Sequence, residues 1–387
     1  MTAAALAEFP TPALIERDSL PVFMEDQVRR AGLTSVYEKV MAAERLDAAD
    51  GVALFASRDL LSVGALANIV RERKNGNLAY FNRNLHINYT NICNKKCLFC
   101  AFDRLPGQEG GYTMSMEDVE GRFNHFKDMA ISEVHMVAGI NPKLGFDYYR
   151  DLLRTAKRVR PDVHVKAFTM IELAQIAKVA RLSPAETIAA LKEAGLDSCP
   201  GGGCEVLNDR IHKELFPLKM GPQAWLDMQR EVHRAGLRSN ATMLYGHVET
   251  YEERVEHFVR LRELQDETGG FQTFIPLAFH PDNHELSHLP GTTGFDDIKA
   301  LAVARLMLDN FAHIKAFWIM ISPKVSQISL SFGCDDVDGT VLEEKITHEA
   351  GAKTPQGLTV EEIIRMIKEA GRDPVERDTL YNVLHRY

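Results

Sequence analysis

Three cysteines fall within eight residues, Cys93-Asn94-Lys95-Lys96-Cys97-Leu98-Phe99-Cys100, and this C-x3-C-x2-C spacing constrains the chain more than any other feature. Half of its six cysteines sit there. Thiolates crowded this closely repel one another unless a cation neutralises them. Three cysteines in one loop are a poor start for a disulfide framework. Iron–sulfur clusters are held by cysteine thiolates, and three thiolates on a cube of four irons leave one iron without a protein ligand. An open coordination position separates a reactive metal centre from a closed structural one. A zinc site would need a fourth ligand, from His86 or a distant cysteine. Burial of the three thiols as small hydrophobes is the remaining alternative. The spacing favours the open iron–sulfur site.

The rest of the composition sets limits on partners and place. The 387 residues are 45% hydrophobic and 26% charged, an ordinary globular balance, and an α/β barrel absorbs most of that length as one domain. No run of about 18 apolar residues would span a membrane. The segment Met1 to Pro12 lacks the basic start and long apolar core of a secretory leader. Six cysteines outside any spread framework suit a reducing cytoplasm. A formal net charge of −9 argues against nucleic acid as the main partner.

Hydrophobic periodicity predicts the architecture. Residues 1–80 read as a helical N-terminal extension, with apolar residues at helical spacing over Val22 to Leu46 and a helix Arg58 to Lys74 capped by Ser57. From Leu85 short β-rich runs alternate with amphipathic helices. The runs are Leu85–Thr90, Glu133–Ala138, Val163–Thr169, Asp197–Cys199, Arg238–Tyr245, Gln272–Leu277, Ile314–Ile319 and, more weakly patterned, Phe332–Val337. About eight strand–helix repeats predict a (β/α)8 TIM-type barrel over 81–340; a doubly wound open sheet is the alternative. Residues 341–387 read as a helical C-terminal extension packed on the barrel, with Val360–Ala370 its clearest helix.

Barrels of this kind carry their chemistry in the loops that follow the strands. The polar and glycine-rich segments here fall after the predicted strands: the cysteine loop, Ala138-Gly139-Ile140-Asn141-Pro142, Thr169-Met170-Ile171-Glu172, Pro200-Gly201-Gly202-Gly203-Cys204-Glu205, Tyr245-Gly246-His247-Val248-Glu249-Thr250 and His280-Pro281-Asp282-Asn283. The three glycines before Cys204 let backbone approach a ligand closely, and the Glu205 carboxylate there suits a ribose diol or an ammonium group. His247 and Glu249 lack a third ligand nearby, so they are poor metal ligands and better candidates for facing a substrate. His280 and Asn283 are similar, and Lys166 and Arg83 are candidate cations for an anionic substrate. Asp335, Asp336, Asp338 and Gly339 resemble part of a calcium loop, but the ligand spacing is incomplete, so they are expected to be loop carboxylates. Cys199 and Cys334 are expected to be buried thiols.

The cysteine spacing, with an aromatic residue before its last member, resembles the radical S-adenosylmethionine (SAM) superfamily. That resemblance implies a 4Fe-4S cluster on Cys93, Cys97 and Cys100, with SAM chelating the open iron through its methionine amino and carboxylate groups. It implies Phe99 against the adenine and Ala138-Gly139 as the segment that meets the amino group, with Ala138 in place of the family's first glycine. Further segments, Asn240–Thr250, Gly270–His280, Leu308–Lys315 and Asp336–Thr340, resemble the aminofutalosine synthases of the futalosine route to menaquinone. Cys204 departs from that family, which usually carries Ala there.

The likeness implies a transferase that forms a carbon–carbon bond. The 5′-deoxyadenosyl radical would add to the enol-ether double bond of 3-[(1-carboxyvinyl)oxy]benzoate, with rearrangement and decarboxylation. SAM would be consumed, giving 6-amino-6-deoxyfutalosine and methionine. The electron would come from an external donor of the flavodoxin or ferredoxin type. The rivals are a related enzyme, a cyclic dehypoxanthinylfutalosine synthase or a deazaflavin (F0) synthase subunit, and a non-catalytic metal-binding protein.

Overall fold

The structure, a computed structural model, describes residues 22–387; residues 1–21 of the predicted N-terminal extension lie outside the described residues. The strands are Leu78–Asn82 (β1), Asn84–Ile87 (β2), Glu133–Met136 (β3), His164–Ala167 (β4), Ser198–Cys199 (β5), Arg238–Tyr245 (β6), Phe271–Ala278 (β7), His313–Ile314 (β8), Asp336–Gly339 (β9), Asp373–Arg377 (β10) and Val383–Arg386 (β11). Strands β2 to β8 form a parallel sheet in chain order. The ring closes through β9: Lys315 bridges Asp336 and Leu85 bridges Leu342, both in parallel sense. The His86 N–H donates to the Leu342 carbonyl at 2.9 Å. The eight staves of the predicted (β/α)8 barrel are therefore β2 to β9.

Strand alternation sorts the residues. Leu85, Ile87, Val134, Met136, Val165 and Ala167 are buried apolar positions, while their neighbours Asn84, His86, His135 and Lys166 line an internal cavity. Helices between the strands cover the apolar faces; Phe146–Val159, for instance, buries Tyr149, Leu152, Leu153 and Ala156. Ser115, Thr169, Thr250 and Thr293 each open a helix with a reciprocal capping box soon after a strand loop. Each such cap is worth about 1 kcal/mol, and it fixes where the functional loop ends.

The extensions differ from expectation. The helix predicted from Arg58 runs Leu60–Asn75, and its cap is Asp59, whose carboxylate accepts the Ser62 N–H at 3.0 Å; Ser57 instead accepts the Asp59 N–H. Neither extension is purely helical. β1 and β9 join β10 and β11 in a second sheet of order β11-β10-β1-β9. β10 hid in the sequence because Glu376 and Arg377 are buried as ion pairs with Arg83 and Asp336 rather than as apolar residues. Arg83 is thus an anchor for the C-terminal sheet and not a substrate group. Asp335 pairs with Arg305 and His313, and Asp338 with Lys315, so these aspartates are buried ion-pair partners. Helices also run Met170–Ala180 and Asp209–Leu215. No helix among the described residues is long and apolar enough to cross a membrane.

Candidate active site

The cysteine loop leaves the C-terminal end of β2 and is tied down by backbone. Thr90 accepts the Gly139 N–H at 2.9 Å, Cys93 donates to Arg104 at 2.9 Å, Asn94 to Ile140 at 3.2 Å and Leu98 to Leu215 at 3.0 Å. Four bonds to three segments of the chain leave the loop little freedom. Cys93, Cys97 and Cys100 are half-buried, unbridged, and line the internal cavity, which encloses about 340 Å³.

This donor set fits an iron–sulfur cube. Burial pushes the Cys97 thiol up to about 11 and Cys100 up to about 12, so a bound cation must supply the charge that turns them into thiolates. Among the described residues no three His, Cys, Asp or Glu side chains converge as a site for one metal ion. In an iron–sulfur cube each cysteine ligates a different iron, so the three thiols need not converge on one point. His86 does not complete a fourth position; it stacks on His135 inside the barrel.

Neighbouring loops are shaped around the cysteine loop. A Cβ on Gly139 would stand 2.5 Å from the Ile92 carbonyl oxygen, so only glycine lets the loop after β3 lie against the one after β2. Ala138, in contrast, is held through its backbone: its N–H donates to Glu172 Oε1 at 3.1 Å. Glu172 also accepts Tyr89 Oη at 2.6 Å and the Thr169 N–H at 2.7 Å. One buried carboxylate thereby joins the loops after β2, β3 and β4, and burial raises it from its ordinary 4.5 to about 7.

Glu205 sits at φ 51° with 8% of its surface exposed. Its Oε1 meets Lys219 Nζ at 2.5 Å, and that ammonium lies 5.3 Å above the Phe99 ring. Phe99 in turn meets Phe216 edge-on at 5.9 Å. Phe99, Glu205 and Lys219 all line the cavity beside Cys97. The sequence carries no signal for Lys219, which belongs to no motif and arrives through the fold. Cys204 donates to the Thr242 carbonyl at 3.3 Å and is buried in the barrel wall, as are Cys199 and Cys334 in the core.

The candidate substrate groups divide. His280 and Lys166 line the cavity; His280 Nε2 is 2.9 Å from the Met320 carbonyl, and Lys166 Nζ is 2.6 Å from Glu133 Oε1. His247 does not reach it. Its side chain is wholly buried, with Nε2 3.0 Å from the Leu244 carbonyl and Nδ1 accepting the Val248 N–H at 2.8 Å. Glu249 accepts the Gly246 and His247 N–H groups and pairs with Arg254, so this loop folds on itself and buttresses its own turn. Asn283 is exposed and donates to the Glu349 carbonyl at 2.9 Å, pinning a surface loop.

An open-sided cysteine cluster at the mouth of a parallel barrel defines a class, and the comparisons agree. The radical SAM superfamily model matches residues 87–261, and the CofH/MqnC C-terminal region model matches 268–386; the chain belongs to the radical SAM superfamily. It is 48% identical to an aminodeoxyfutalosine synthase of Thermus thermophilus, over 92% of this chain and 96% of that one. It is 40% identical to an aminodeoxyfutalosine synthase of Streptomyces coelicolor, over 92% and 95%. The fold is shared with the crystal structure of methylornithine synthase, at a TM-score of 0.71 and 16% identity over 88% of this chain and 97% of that one.

Proposed function

We propose that this protein joins the 5′-deoxyadenosyl group of SAM to 3-[(1-carboxyvinyl)oxy]benzoate, with rearrangement and loss of a carboxyl group, giving 6-amino-6-deoxyfutalosine and methionine for menaquinone biosynthesis. One observation carries it: a single cavity runs from Cys93, Cys97 and Cys100 to a polar floor, in a chain similar to aminodeoxyfutalosine synthases along nearly its whole length.

A cluster held by Cys93, Cys97 and Cys100 would supply the one electron that frees the adenosyl group of SAM for addition to the enol ether. The chain's own residues do the positioning. The backbone of Ala138 and Gly139, fixed by bonds to Glu172 and the Thr90 carbonyl, lies beside the cysteines. Phe99 and the Glu205–Lys219 pair form the wall that orients the adenosine. Ile171, Leu244, Ile275, Leu277, Phe317 and Met320 line the cavity with apolar surface, which receives an aryl ring and excludes water from the radical. The electron comes from an external one-electron donor of the flavodoxin or ferredoxin type. The reaction runs in the cytoplasm, where the six free cysteines stay reduced.

The test is an anaerobic turnover of reconstituted protein with reductant, SAM and the enol ether, followed by chromatography. Methionine and an adenosylated product should appear in equal amounts. Accumulation of 5′-deoxyadenosine in place of that product would favour a hydrogen-abstracting cyclase instead.

A further inference from the structure

Parallel register sets three polar residues side by side inside the barrel. His86 of β2 is in register with His135 of β3, and His135 with Lys166 of β4. All three line the cavity, as does Lys315 just after β8. The lysines are buried, Lys166 against Glu133 at 2.6 Å and Lys315 against Asp338 at 3.2 Å.

The two imidazoles stack, with centroids 4.6 Å apart and planes within 12°. Stacking uses the ring faces and leaves the edges for hydrogen bonds. His86 is only 7% exposed, yet its Nε2 has no hydrogen-bond partner. A buried polar group left without a partner is costly, and an imidazole that lines a cavity with neither ring nitrogen hydrogen-bonded marks where a ligand group would complete one of them.

We propose that this floor is the subsite for the ring carboxylate of the substrate, which accepts a hydrogen bond from the edge of His86 with Lys315 and Lys166 behind it. The assignment rests on the function proposed above. The reacting double bond has to lie near the cysteines, which sit beyond the C-terminal end of β2, whereas His86 lies within β2 itself. A carboxylate across a flat ring is the substrate group that reaches inward, between the apolar walls of Ile275, Leu277 and Phe317. Because each lysine already has a carboxylate partner, the floor holds its ligand through directed N–H bonds. That arrangement suits one planar carboxylate better than a phosphate dianion.

The experiment is calorimetric titration of the unreduced protein with two compounds: the full enol ether, and the same enol ether built on unsubstituted phenol. A hydrogen bond to a charged group corresponds to about 10- to 100-fold in affinity. Wild type should prefer the full compound by that factor. His86→Phe, which keeps the stacked ring and removes the N–H, should bind the two within a few-fold of each other. His86→Gln should keep part of the preference. Iron content and melting temperature report whether His86→Phe is folded; if it is not, wild type and His86→Gln decide. Equal binding of both compounds by wild type, or undiminished preference in His86→Phe, overturns the subsite while leaving the function standing. A wild type that neither binds nor adenosylates either compound removes the function and the subsite together.

Discussion

Glu172 Oε1 accepts the backbone N–H of Ala138 at 3.1 Å. Four donors converge on this carboxylate, from Ala138, Tyr89 and both the N–H and Oγ1 of Thr169, and the segment they fix lies against the cysteine loop. A buried acceptor that loses its match to such donors costs about 1–3 kcal/mol. Glu172→Gln puts an NH2 group where only acceptors fit, so SAM affinity should fall about tenfold or more in equilibrium dialysis, with iron content retained.

The same residue gives a pH dependence. Its folded value is about 7 against an ordinary 4.5. Between those values the folded state holds a proton that the unfolded state releases, so this group's contribution to stability falls as pH rises from about 4.5 to about 7. Satisfying all four donors requires the ionised form, so SAM affinity should rise as pH passes about 7. Denaturation midpoints between those values, and dialysis on both sides of pH 7, should show the two trends in wild type and neither in Glu172→Gln.

Gly139 has no room for a side chain. An added Cβ would lie 2.5 Å from the oxygen and 2.9 Å from the carbonyl carbon of Ile92, the residue before the first cysteine. Gly139→Ala should therefore displace the cysteine loop, and iron content after anaerobic reconstitution should drop well below wild type. Ala138→Gly, next to it, should keep its iron, because Ala138 acts through its N–H.

Cysteine replacements should divide by place in the fold. Cys93→Ala, Cys97→Ala and Cys100→Ala should each lose the cluster's brown colour and SAM cleavage. Cys204→Ala should keep both, because that thiol is buried against the Thr242 carbonyl. Its cost is a weak hydrogen bond and a small cavity, about 1 kcal/mol in a denaturant melt.

Lys166 and Glu133 form an ion pair with essentially no solvent exposure. Lys166→Met would strand the carboxylate, and breaking a buried pair costs about 3–5 kcal/mol. Urea midpoints should fall accordingly. The double variant Lys166→Met/Glu133→Leu should regain most of that loss, since an apolar pair of similar volume carries no charge to desolvate.

What the sequence disclosed follows from how local each signal is. The cysteine loop is contiguous, so its spacing was legible. Arg238–Tyr245 was also legible, because it is a contiguous β-rich run set between two helices, and the strand has those bounds. The polar floor was not. His86, His135 and Lys166 are far apart in the chain and meet only through strand register. Lys219 reaches Phe99 and Glu205 because a loop brings it there. His247 misled for a related reason: it follows a strand as a site residue would, but its loop turns it onto the Leu244 carbonyl. β10 escaped notice because two of its four buried positions, Glu376 and Arg377, are charged and paired.

The central claim is that three cysteines hold the cluster and leave one iron for SAM. Mössbauer spectroscopy of 57Fe-reconstituted protein tests it most directly. Four irons per chain should appear, one of them distinct and shifting when SAM is added. Four sites unresponsive to SAM, or no iron after anaerobic reconstitution, would contradict it.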